Sequence, residues 1–167
     1  MSTSTRTQLA QSIRSKVADL KTVCEGIDED TASRAPAGRW SPKEILSHLW
    51  GPGESSHLHL FQAFLDKDTP TLDFEAENPF LTEERARMTI HRLAAEVEKE
   101  YRGVSDFVEG LSASQAARKA HIPLLKDSPL GEYPTLEALV AGLGEYHLQF
   151  HIDHLREILG ELGTADT

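Results

Sequence analysis

The chain has 167 residues, a formal net charge of −10 and a single cysteine. That length fits one domain over 1–167 with a core of its own. The scattered basic residues and acid excess argue against nucleic-acid or membrane partners, and one cysteine excludes an internal disulfide or cysteine-based metal site.

No apolar run approaches the roughly 18 residues that cross a bilayer. The start, Met1 to Thr7, lacks the apolar centre of a signal peptide, so a cytoplasmic protein acting on small molecules is expected. Residues 1–7 and 163–167 read as flexible tails. The first helix carries Leu9, Ile13, Val17, Leu20, Cys24 and Ile27, steps of three and four that make one apolar stripe. Cys24 on that stripe reads as inert packing.

A second helix opens at Ser41-Pro42-Lys43-Glu44, an N-cap, a first-turn proline and a capping-box glutamate. Ile45, Leu46, His48 and Leu49 follow, then Trp50-Gly51-Pro52-Gly53. Pro52 removes an amide donor and crowds the carbonyl of His48, so the helix kinks, or breaks and restarts, one turn past that histidine. Leu58 to Leu65 resumes it, with His57 and His59 expected at the surface and the lining of a cavity by one of them as the alternative. The third helix is expected from Thr82, with Ile90, Leu93, Val97, Tyr101, Val104, Val108 and Leu111 inward and Glu96, Glu98 and Glu100 as a solvated face. The fourth runs from about Pro134 to Leu159, with Gly160 and Gly163 as stop signals. Two long links, 67–81 and 112–133, join these helices into an all-α four-helix bundle with crossover connections.

Leu136, Val140 and Leu143 lead into His147, His151 and His154, which continue the apolar rhythm of the last helix. Buried imidazoles need partners for their nitrogens, and a divalent metal satisfies several at once. His48 with His147 and His151 makes three neutral ligands from two helices and leaves a position open, as catalytic sites do. His154 is either a fourth ligand that closes the site or a catalytic residue acting on bound substrate. The second role is preferred, because three imidazoles of one helix rarely converge on one ion. Glu44 is near enough to orient His48 but is already a capping residue. Trp40 and Trp50 read as end packing, with Trp50 also placed to roof a cavity. His91 and His121 carry no role. A cysteine–histidine nucleophile pair, a glycine-rich phosphate loop, the doubled Glu-x-x-His motif of di-iron sites and His-Glu-x-x-His are absent.

The run Arg39-Trp40-Ser41-Pro42-Lys43-Glu44-Ile45-Leu46-Ser47-His48-Leu49, together with His147-x-x-x-His151-x-x-His154, resembles the DinB-like superfamily and specifically its YfiT-like branch, which has histidine at the last position. Pro129-Leu130-Gly131 and Pro134-Thr135-Leu136 are in keeping. The resemblance covers about residues 8 to 160. It implies a four-helix bundle, often a homodimer, with zinc or nickel on His48, His147 and His151. It also implies transfer of a low-molecular-weight thiol to an electrophilic small molecule, or hydrolysis. Gly51-Pro52-Gly53 departs from the family, where the helix usually continues with small polar residues. The leading expectation is a metal-dependent thiol S-transferase, with His154 as nearby acid or base. The alternatives are a metal-dependent amide or ester hydrolase and a non-catalytic metal or ligand binder.

Overall fold

The computed structural model describes residues 3–165. Its helices are α1 (Thr3–Glu25), α2 (Glu29–Ser33), α3 (Pro42–Trp50), α4 (Ser56–Asp66), α5 (Glu83–Arg87), α6 (Ile90–Glu109), α7 (Ala113–Ala116), α8 (Leu136–Ala141) and α9 (Leu148–Ala165). One π-helical segment, Gly142–His147, joins α8 to α9 without a break. α1 lies along α6, α3 packs on α6 and α9, and α1 also meets α9, giving a four-helix bundle. The described residues contain two isolated β-bridges and no longer strand.

The stripe on α1 faces the core: Leu9, Ile13, Val17, Leu20 and Cys24 are buried, and Ile27 is buried just beyond the helix end. The Cys24 thiol has its pKa pushed up to about 12 by burial, which makes it inert packing. On α6, Ile90, Leu93, Val97, Tyr101, Val104 and Val108 are buried as their spacing predicts.

Several boundaries differ from expectation. Thr82 caps only the five-residue α5; the chain turns extended at Met88, and Thr89 caps α6 afresh by accepting from the Arg92 amide. Tertiary contacts hold that break, since Lys43 Nζ donates to the Ala86 carbonyl and the Ile90 amide donates to Glu29. At the chain ends, Thr3 to Thr7 belong to α1, with Arg6 buried, and α9 continues through Gly160 and Gly163 to Ala165. Residues 1, 2, 166 and 167 of the expected tails lie outside the described residues. Leu162 is buried one turn beyond Ile158, and its packing outweighs the ~1 kcal/mol that each glycine costs a helix.

The long links are pinned to one another: Leu72 donates to the His121 carbonyl, His121 to that of Pro70, Ile122 to that of Glu132 and Leu136 to that of Arg118. The core row of the last helix departs furthest from the sequence reading. It runs through Val140, Gly144, Leu148 and Ile152 to Leu155, four residues apart until its last step. The histidines form the row immediately beside it.

Candidate metal centre

Local chemistry at the start of α3 sets the position of His48. Ser41 accepts from the Glu44 amide and Glu44 accepts from the Ser41 amide, so the expected capping box forms. Glu44 is thereby used up and does not orient His48. One turn on, His48 is buried against α9. Its Nδ1 lies 2.7 Å from the carbonyl oxygen of Asn78. A carbonyl only accepts, so Nδ1 carries the proton and the lone pair is left on Nε2. Sequence reasoning missed this partner, which the 67–81 link delivers through a tight Asn78-Pro79 turn. There the Asn78 side chain accepts from the Phe80 amide, and Phe80 takes a left-handed backbone, φ 53°. The Asn-Pro step was the available signal of a turn, though not of its target.

His147 and His151 come from the other side. His48 Nε2 and His147 Nε2 are 2.9 Å apart, and ring centroids are 4.6 Å from His48 to His151 and 4.6 Å from His147 to His151. One ring nitrogen of each of His48, His147 and His151 lies within 4.8 Å of the others. His154 stands outside this group, its Nδ1 3.3 Å from His151 Nδ1.

Burial first, then the charges of neighbouring imidazoles, depress the basicity of the cluster. His147 falls to about 4 and His151 to about 2, and His48 is lowered by burial despite its bond to Asn78. All three are therefore neutral at pH 7, the form that ligates metal. The donor set fits a divalent ion on the structure's own terms. His48 presents a bare Nε2, His151 has its remote nitrogen engaged by His154, and His147 has a buried Nδ1 with no partner among the described residues. At most one proton fits between the two facing Nε2 atoms, whereas an ion would take all three lone pairs.

Aromatic rings wall the site. Trp40 lies parallel to His151 (8° between planes, centroids 6.1 Å apart), Phe80 parallel to His48, and the exposed Phe150 edge-on to His151. Nearby, the Arg85 guanidinium stacks over Trp50 at 3.9 Å. The helix does break after His48: Gly51 ends α3 at φ 92°, donating to the Ser47 carbonyl, and the chain restarts at Ser56. His59 and His91 are exposed, and His121 is tied to Glu132 at 2.7 Å. Two surface assignments are corrected. His57 is largely buried against Glu100, and Glu100, expected on a solvated face, is itself buried. Spacing on α6 gives the reason: Glu100 neighbours Tyr101 and lies three residues past Val97, on the flank that α4 covers.

No protein-family model matches the chain, and no curated protein is similar to it in sequence. Among solved structures it is similar to YfiT from Bacillus subtilis, described as a probable metal-dependent hydrolase with an unusual four-helix bundle topology. That likeness has a TM-score of 0.75 at 20% identity and covers 98% of this chain and 90% of the other. The chain thus has the YfiT-type bundle fold that its motifs imply. No helix among the described residues is long and apolar enough to cross a membrane.

Proposed function

We propose that His48, His147 and His151 hold a divalent ion of the zinc or nickel type, and that the protein uses it to hydrolyse an amide or ester bond in a small molecule. The observation that carries this is the convergence of three neutral imidazoles within 4.8 Å, two of them with their remote nitrogens already engaged. Such an ion supplies Lewis-acid chemistry, polarising a carbonyl and acidifying water. The chain's own part is to fix the His48 tautomer through Asn78, to hold the His151 ring against His154, and to shield the site with Trp40, Phe80 and Phe150. YfiT, which shares the fold, is described as a probable metal-dependent hydrolase, in keeping with this reading.

Thiol transfer is the second reading, favoured by the same imidazole set, because a borderline ion accepts thiolate as well as water. It is placed second because an anionic thiol substrate needs a cation to hold it. Arg39 is paired with Glu157 and Glu161, Lys43 with Glu29, and Arg85 with Trp50.

Metal analysis and zinc or nickel titration test the site first. One ion per chain is expected, with affinity falling about 100-fold or more in each of His48→Ala, His147→Ala and His151→Ala. Absent binding, or binding unchanged in these variants, refutes it. The loaded protein is then given p-nitrophenyl acetate and p-nitroanilides without thiol, and monochlorobimane with a thiol panel. Metal-dependent cleavage supports hydrolysis, and conjugation alone supports transfer. Binding with neither reaction leaves a non-catalytic binder.

A further inference from the structure

The break after α3 builds a second buried pair that ligation of an ion does not use. The backbone amides of Ser55 and His57 donate to Glu100 at 2.9 and 3.1 Å, and His57 Nδ1 donates to the same carboxylate at 2.8 Å. Both side chains are nearly enclosed, His57 at 12% exposure and Glu100 at 5%. Burial alone would raise the pKa of Glu100, but the bonds from His57 and Ser55 hold it below the ordinary carboxylate range. It is therefore an ionised carboxylate oriented by three donors.

Part of this array is structural. Ser55, the residue before α4, makes no side-chain cap, and Glu100 replaces that cap by taking the amides of Ser55 and His57. Capping does not require the third bond. That bond fixes the His57 tautomer: with Nδ1 donating, the lone pair of the neutral ring is on Nε2. Nε2 has no hydrogen bond among the described residues, and the His57 side chain keeps 12% exposure.

The ring stands beside the turn that follows His48. His57 Cε1 is 3.5 Å from where a Cβ on Gly51 would stand, directly beyond the turn that carries His48. Close by are Tyr101, its ring 5.3 Å from His57, and two buried hydroxyls without partners, Tyr101 OH and Ser56 Oγ. A carboxylate, an imidazole with a free Nε2 and a nearby electrophile-activating centre form the general-base half of a hydrolytic site.

We propose that His57, oriented by Glu100, is the proton-transfer group of the histidine centre. Its Nε2 takes a proton from the attacking water as the water oxygen bonds to the acyl carbon. The same proton passes to the amine or alkoxide released when the scissile C–N or C–O bond breaks. Water and substrate thus become a carboxylic acid and an amine or alcohol, with no other reactant. The proposal rests on the hydrolytic reading above.

The test uses the full-length zinc-loaded protein, in which the ion shields its three ligands. Diethylpyrocarbonate labelling followed by peptide mass spectrometry should modify His57, and Glu100→Gln should slow that labelling about tenfold. Acetohydroxamate, a zinc chelator, should protect His57 while the exposed His59 and His91 react as before. His57→Gln, which can still donate to Glu100, should keep zinc stoichiometry and KM for p-nitrophenyl acetate but lose about 100- to 10,000-fold in kcat. If acetohydroxamate leaves His57 labelling unchanged, or His57→Gln keeps wild-type kcat, the pair is a helix cap only. If the wild-type protein fails to bind zinc, the metal reading falls and takes this proposal with it, so the two failures are told apart.

Discussion

Lowering the pH of the metal-free protein from 7 to 5 should strip away a large part of its stability, well before the carboxylates titrate. An unfolded histidine titrates near about 6.5. In the folded chain His147 titrates at about 4 and His151 at about 2, burial being the main cause in each. Below about 6.5 the unfolded chain therefore binds protons that the folded chain refuses, and stability falls as pH falls. At pH 5 the unfolded form of each residue is almost fully protonated and the folded form almost fully neutral. The loss from pH 7 is then about 2 kcal/mol per histidine, or about 4 kcal/mol for the pair. His48 and His154, also depressed, act in the same direction. Against a total of about 5–15 kcal/mol this is severe, and it corresponds to roughly 8–16 °C in Tm. Glu29 and Glu100, whose pKa values are lowered, weaken the fold chiefly below this window. Urea unfolding of chelator-treated protein at pH 7, 6 and 5 measures the slope, and a His147→Leu, His151→Leu double variant should flatten most of it. Equal stability at pH 7 and 5, or an unchanged slope in the double variant, would refute the claim that buried neutral imidazoles set it.

Two glycine substitutions probe the backbone that delivers the histidines. Gly144→Ala would place a Cβ 2.7 Å from Ile13 Cδ1 and 2.9 Å from its Cγ1, so it should cost about 1–3 kcal/mol in chemical unfolding and weaken zinc binding through His147, three residues on. A variant as stable as wild type would mean that α1 gives way freely. Gly51→Ala meets Ser56 Oγ at 2.6 Å and imposes φ 92° on an L residue, a loss of about 1–3 kcal/mol. Adding Ser56→Ala should recover little of it, because the backbone conformation is the cause; full recovery would show that the hydroxyl was.

The two long amphipathic helices were legible because each buries one face along its whole length, so steps of three and four on α1 and α6 translate directly into core. Ser41 and Glu44 were legible because a capping box is local. Asn78 and Glu100 were not, because each acquires its role from a partner brought by another element, across 30 residues for His48 and 43 for His57. The last helix shows a third situation. A regular 3.6-residue reading carries Val140 and Leu143 straight into His147, His151 and His154 and puts the histidines in the core row. The π segment Gly142–His147 accommodates an extra residue, which turns everything after it by about 100° relative to a regular helix. Leu148, Ile152 and Leu155 rotate into the core, and the histidines move to its edge, where α3 meets α9. Gly144 permits this, since its missing Cβ lets the widened turn sit against Ile13. Without that turn, the imidazoles would face leucine and valine; with it, two of them face His48 and one backs His151. The histidine spacing alone suggests chelation, but a backbone irregularity invisible to periodicity aims the histidines at a third imidazole.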